Sequence, residues 1–186
     1  ISVSLFTMGQ SLETIIQKGH ELAVIAVAVS PDSHYVATGS RDKSAKLWEL
    51  STGREVRSFL GHEATVNSLD FSSDGKYLIT SSGDKSVRIW EIKTGKEIYK
   101  VEPDREILTD VALSPDGKFF ITGGYGDSAR VYDFQSKKIL ASIPVDPDKG
   151  RGYGISIAIS PDSKWIGFGE DNRVATVYKT SDWKQA

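Results

Sequence analysis

A short motif returns along this chain at a nearly fixed interval. Ser30-Pro31-Asp32 is matched by Ser72-Ser73-Asp74, Ser114-Pro115-Asp116 and Ser160-Pro161-Asp162, at offsets of 42, 42 and 46 residues. An aromatic residue follows each serine by 18 positions: Trp48, Trp90, Tyr132 and Tyr178. Self-similarity at a period of roughly 20–50 residues marks a repeat architecture, in which one small unit is stacked many times. Residues that recur at the period build the scaffold. Residues that break it are where function is to be sought.

One period reads clearly from Gly61 to Trp90 and on to Val101. Thr65 to Phe71 is a strand pattern, and Ser73-Asp74-Gly75-Lys76 is a turn, since Asp bonds its own backbone and Gly accepts positive φ. Tyr77 to Thr80 is a second β-rich run, followed by a turn at Ser82-Gly83-Asp84-Lys85. Val87 to Ile92 alternates apolar with polar, the period-2 signal of a strand. Thr94-Gly95-Lys96 turns the chain into a fourth strand, Ile98 to Val101. No segment carries a convincing helical period. A four-stranded sheet this small cannot bury both faces alone, but radial stacking on its neighbours can, and this predicts a β-propeller. The near-continuous apolar run Val24 to Val29 reads as a strand packed on both faces.

The rest of the composition mainly excludes. The chain has 186 residues, 39% of them hydrophobic, which is enough for a sizeable core. Its 23 basic and 25 acidic residues leave a formal charge of −2 without long runs of either sign, so no nucleic-acid or membrane-surface footprint is expected. The absence of cysteine removes disulfides, thiolate metal sites and cysteine nucleophiles. No apolar run reaches the roughly 18–20 residues of a membrane helix. Residues 1–10 stay open between two readings. They are the tail of an export signal, or Ser2 to Phe6 is a strand of a preceding unit, 42 residues before Ser44 to Trp48. Cytoplasmic and exported locations therefore both remain open.

The pattern Gly19-His20, Ser30-Pro31-Asp32, Thr38 to Ser44 and Leu47-Trp48-Glu49, repeated as Gly61-His62, Ser72-Ser73-Asp74, Thr80 to Ser86 and Ile89-Trp90-Glu91, resembles the WD40-repeat family. The resemblance covers nearly the whole chain. It implies an all-β fold of about four four-stranded antiparallel blades within residues 11–186, in units near 19–60, 61–102, 103–148 and 149–186. Similar proteins most often have seven blades, so the resemblance also implies part of a larger propeller or a half that pairs with a second copy, ahead of a closed four-bladed ring, and open blade faces would favour self-association. It further implies a structural hydrogen-bonded tetrad in each regular blade: His20, Thr38, Asp42 and Trp48, then His62, Thr80, Asp84 and Trp90. The later units depart from it. The third has Asp104 and Tyr132 at the histidine and tryptophan positions and a displaced acid, Asp127. The fourth has Gly150, Phe168 and Tyr178 at the histidine, threonine and tryptophan positions.

Fold resemblance says little about function, which lies in sites placed on the fold. His20 and His62 recur at the period and are read as structural, and His34 as a solvated turn residue. The chain has no G-x-S-x-G, P-loop or H-E-x-x-H string, and no catalytic residues or cofactor are expected. Asp146-Pro147-Asp148-Lys149-Gly150 lacks the further ligands of a calcium loop, so no metal site is expected there. Gly123-Gly124-Tyr125-Gly126 joins two strands and lacks the helix N-terminus that would hold a phosphate. In similar propellers partners dock on the rim formed by the entry to each blade and its second turn. Carried over, these places are Ile25, Arg41, Thr65, Asn67, Gly83, Ile107, Thr109, Tyr125, Tyr153, Ile155 and Glu170. The reading is a non-catalytic scaffold for a protein or peptide partner. The alternative is an accessory part of a larger enzyme, a peptidase, kinase or regulatory protein, whose chemistry lies elsewhere.

Overall fold

Period-2 alternation and closely spaced turns leave each unit no route except a meander of short antiparallel strands. The computed structural model describes residues 19–102, 107–126, 128–144, 155–170 and 175–186, and every regular element among them is a strand. The first sheet holds β1 (Val24–Val29), β2 (Tyr35–Ser40), β3 (Ala45–Glu49) and β4 (Glu55–Phe59). The second holds β5 (Val66–Phe71), β6 (Tyr77–Ser82), β7 (Val87–Glu91) and β8 (Glu97–Val101). The third holds β9 (Leu108–Leu113), β10 (Phe119–Gly124), β11 (Ser128–Asp133) and β12 (Ile139–Pro144). The fourth has three strands, β13 (Ile155–Ile159), β14 (Trp165–Glu170) and β15 (Ala175–Lys179). In each sheet the strands pair in chain order, as propeller blades do.

The recurring Ser-x-Asp motif makes the hairpin between the first two strands of each blade. Ser30 Oγ donates to Asp32 Oδ1 at 2.6 Å and accepts the amide of Tyr35 at 2.8 Å. Ser72 repeats this with Asp74 and Tyr77, and Ser160 with Asp162 and Trp165. The next residue is left-handed each time, at Ser33, Gly75, Gly117 and Ser163, with φ of 57, 68, 71 and 58°. A serine hydroxyl and a carboxylate thus replace backbone partners in a turn too tight to supply them.

The core lies between the blades. Ala37, Ala45, Leu47 and Phe59 of the first blade pack on Leu69, Phe71, Leu78 and Trp90 of the second. At the same repeat positions, Ile79, Val87 and Ile89 meet Val111, Leu113, Phe120 and Tyr132. Ile121, Ala129 and Val131 then meet Ile157, Ile159, Ile166 and Tyr178. Each blade therefore has two different faces, and each interface joins one of each kind. Outer strands add a latch: Arg57 on β4 donates to the carbonyls of Thr94 and Lys93 in the β7–β8 turn at 3.0 and 3.1 Å.

One expectation is corrected here. The run Val24 to Val29 is not packed on both faces, because Ile25, Val27 and Val29 are exposed while Ala26 and Ala28 pack on the first core. Apolarity of both sets of positions made the two faces look alike in sequence, but the chain supplies described cover for only one.

Candidate functional site

In the first two blades a buried chain of side-chain hydrogen bonds runs from the third strand to the loop that enters the blade. Trp90 Nε1 donates to Thr80 Oγ1 at 2.9 Å, Thr80 Oγ1 lies 2.8 Å from His62 Nε2, and His62 Nδ1 lies 2.8 Å from Asp84 Oδ2. Trp48, Thr38, His20 and Asp42 are arranged the same way at 2.8, 2.7 and 2.9 Å. The indole only donates, so the threonine oxygen accepts from it and passes its own proton to imidazole Nε2. That arrangement leaves Nδ1–H facing the carboxylate. The carboxylate is held in turn. Asp84 accepts the amides of Glu63 and Ser86 and the hydroxyl of Ser86, and Asp42 accepts those of Glu21 and Ser44. Ser44 and Ser86 are thus additional members that sequence reasoning missed. Their signal was the Asp-Lys-Ser string at the same place in both units.

The candidate rim residues separate into two groups. Ile25, Asn67, Thr109 and Ile155, which are equivalent positions in the four blades, all line one cleft of about 490 Å³ between the inner strands. Asn67 and Thr109 do not offer their polar groups to it freely. Asn67 Nδ2 donates to the carbonyl of Leu108 at 2.7 Å, and Thr109 Oγ1 donates to the carbonyl of Ile155 and accepts its amide, both at 3.1 Å. Ile155 is itself buried. These three residues join neighbouring blades, as Ser68 does beside them by donating to Asp110 Oδ1 at 2.6 Å. Arg41, Ile107 and Tyr125 are exposed. The amides of Arg41, Gly83 and Tyr125 bond the carbonyls of Ala23, Thr65 and Ile107, at 2.9, 2.9 and 3.0 Å, which fixes this end of each blade in the same way. The side chain of Glu170 and all of Tyr153 lie outside the described residues, as do Asp104, Asp127, Gly150 and the loop from Asp146 to Gly150.

The family model described as WD domain, G-beta repeat, matches residues 9–49, 53–91 and 95–133. The chain belongs to the WD-repeat family. Among curated proteins it is similar to the ribosome biogenesis protein BOP1 homologs of Drosophila virilis, 42% identical over 48 residues, and of Drosophila ananassae, 40% identical over 48 residues. Each match spans 26% of this chain and 6% of the relative's length. WD-repeat domains are generally non-catalytic and typically bind proteins. The fourth blade lies beyond the three matched repeats, and its membership rests on the recurring Ser160-Pro161-Asp162 and on its packing against the third.

The WD-repeat pattern decays in the later blades by a change of chemistry. Tyr132 stacks on Phe120 with ring centroids 4.9 Å apart, and Phe168 meets Tyr178 edge to face at 5.6 Å. Aromatic contact therefore stands at the tryptophan position of both later blades. Thr122, equivalent to Thr80, keeps its hydroxyl, but the buried oxygen has no hydrogen-bond partner among the described residues. Two further carboxylates, absent from the site read in sequence, span blade boundaries. Asp70 Oδ2 accepts the amide of Leu113 at 2.8 Å, and Asp110 Oδ2 accepts the amide of Ile157 at 2.7 Å. An acid inside an apolar strand pattern was the available signal for both.

These acids are tuned in opposite directions. At Asp42 burial raises the pKa, but the hydroxyl and amide of Ser44, the amide of Glu21 and the imidazole of His20 outweigh it and bring it to about 2. Burial acts likewise on Asp84, and His62, Ser86 and the Glu63 amide hold it well below the usual carboxylate range. At Asp70 burial prevails over the Leu113 and Phe71 amides and, helped by the charge of Asp110, raises the pKa. An unfolded Asp titrates near about 3.9, so the networks around Asp42 and Asp84 stabilise the fold above that pH and lose this contribution as pH falls toward about 2. Melting temperature followed by circular dichroism is expected to hold from neutral to about pH 5 and to fall below it. An Asp42→Asn, Asp84→Asn double variant should start lower and fall less over that acid range. An acid loss as steep as in the wild type would refute the assignment.

Proposed function

We propose that this WD-repeat chain is a protein-binding platform whose contact surface is the rim around the inner-strand cleft, and that the bound partner is recognised without chemistry on the chain itself. The carrying observation is the pairing of a uniform frame with non-uniform side chains. Backbone bonds fix Arg41, Gly83 and Tyr125 at equivalent places, yet the three side chains are a cation, nothing and an aromatic ring. Ile107 stands exposed beside Tyr125, whose amide bonds the Ile107 carbonyl. Tyr and Arg are the residue types most enriched where binding energy concentrates, and an exposed aliphatic neighbour supplies the apolar area that such anchors use. The 48 residues shared with the BOP1 homologs amount to little more than one repeat. That likeness supports the blade, and ribosome biogenesis is one setting in which to seek the partner.

Affinity capture with immobilised wild-type chain should enrich a partner set that an Arg41→Ala, Tyr125→Ala double variant loses, while a Lys164→Ala control in the β13–β14 turn retains it. Both substituted sites are exposed, so circular dichroism should match the wild type. A partner set retained by the double variant would remove the rim from consideration.

A further inference from the structure

The three junctions between blades are alike in their cores and differ at their outer ends. Inside each junction the residues that meet are aliphatic or aromatic, so that part of the contact would accept several neighbours. The turn after the third strand is more particular. Gly53, Gly95, Lys137 and Trp183 hold the same place in the four blades. Each is left-handed, with φ of 66, 74, 62 and 57°, and each amide bonds the carbonyl four residues back at 2.8 or 2.9 Å. Glycine is the unstrained choice at such a φ, yet two blades carry a large side chain there.

The outer strand of the preceding blade matches each choice. Before Gly95 stands Arg57, whose Cδ would lie 2.7 Å from a Cβ at Gly95 and whose guanidinium donates to the turn carbonyls of Thr94 and Lys93. The equivalent of Arg57 on β8 is Tyr99, and there the turn supplies the cation instead. Lys137 Nζ lies 3.9 Å from the Phe134 ring centroid and 5.7 Å from that of Tyr99, and it donates to the Phe134 carbonyl. At the third junction β12 offers Ala141 and the turn offers Trp183. Both pack on the same core, and Trp183 meets Phe119 edge to face at 5.5 Å.

We propose that these outer latches are matched pairs that fix which blade follows which. Arg57 with Gly95, Tyr99 with Lys137 and Ala141 with Trp183 each join one large side chain or one cation to a partner that accommodates it. Exchanged neighbours do not. Arg57 before Lys137 sets two cations together, Tyr99 before Trp183 overfills the turn, and Ala141 before Gly95 leaves it empty. Chains of similar repeats are prone to wrong pairing between their units, and repulsion and misfit are what discriminate against it. The left-handed backbone of Lys137 and Trp183 is offset by the ring contacts that the correct neighbour supplies.

Moving the first latch into the second junction tests this. Tyr99→Arg alone places a guanidinium beside the Lys137 ammonium, and should lower the thermal midpoint by about 4 °C or leave too little folded chain to measure. Adding Lys137→Gly recreates the first latch, with the guanidinium free to reach the carbonyls of Gln135 and Ser136. That pair should return to within about 1 °C of the wild type. Tyr99→Ala with Lys137→Gly keeps no latch and should stay low. Tyr99→Arg chain that melts like the wild type overturns the proposal, and so does a Tyr99→Arg, Lys137→Gly pair that melts no higher than Tyr99→Arg alone. Equal recovery by Tyr99→Ala with Lys137→Gly also overturns it, since the gain would then come from glycine alone.

Discussion

Gly124→Ala is expected to destabilise the chain by about 3 kcal/mol, at the upper end of what an overpacked site costs. A Cβ at this position would lie 2.1 Å from the carbonyl oxygen of Ile107 and 2.9 Å from the Cα of Leu108. Both obstacles are backbone, so no side-chain rotation relieves them. The start of β9 would have to move, and the 3.0 Å bond from the Tyr125 amide to the Ile107 carbonyl would go with it. The demand is local to the third blade. The equivalent residues of the first two blades are Ser40 and Ser82, which carry a Cβ and are fully buried. The register shift between Gly123 and Gly124 recurs at Ser40 and at Ser82, so it is the approach of the Ile107 carbonyl, and not the shift, that sets the third blade apart. Gly167→Ala is the matching control, since its Cβ meets nothing within 4 Å. Removing glycine's freedom from the unfolded chain should leave that variant unchanged or more stable, by up to about 1 kcal/mol. Urea unfolding of the two variants measures both, and similar midpoints would contradict the close approach. The same displacement bears on the rim, because Ile107 and Tyr125 are the residues that the Gly124 contact sets side by side.

The period made the blades legible, and the places where reading stopped have physical causes. Tyr77 to Thr80 read as a strand that ended before a serine pair, but β6 continues to Ser82 because Ser81 and Ser82 still pair with β5. Serine favours turns in isolation, and ladder bonds on both sides override that preference. The exposed valines of β1 were legible as apolar and not as uncovered, since sequence states a demand for burial without saying what meets it. The histidine networks came from resemblance, because nothing in a spacing of 18 or 22 residues dictates that His62 should reach Thr80 and Asp84. Asn67 and Thr109 were placed on the rim by position alone. Their hydrogen bonds to Leu108 and Ile155 lie 41 and 46 residues along the chain, a separation at which only the packed blades bring the groups together.

Thr80→Val and Thr122→Val should separate by about 2–4 kcal/mol although they make the same change at the same place in neighbouring blades. Valine matches threonine in shape and lacks the hydroxyl, so the comparison isolates one oxygen. In the second blade that oxygen accepts from Trp90 and donates to His62, and all three side chains are buried. Its loss strands an indole N–H and an imidazole nitrogen, each at a cost of about 1–3 kcal/mol, and the two add incompletely because they belong to one network. The unpaired imidazole is also freer to leave Asp84, which weakens the turn that the carboxylate organises. In the third blade the oxygen of Thr122 is buried without a partner among the described residues, and the neighbouring aromatic, Tyr132, stacks flat on Phe120. Replacing that oxygen with a methyl group removes an unmet polar atom from the core, so Thr122→Val should be neutral or stabilising. Chemical denaturation of both variants gives the difference directly. Equal losses would mean that Thr122 has a partner and that the network persists in the third blade. A neutral Thr80→Val would mean that the tryptophan and histidine are held by packing alone.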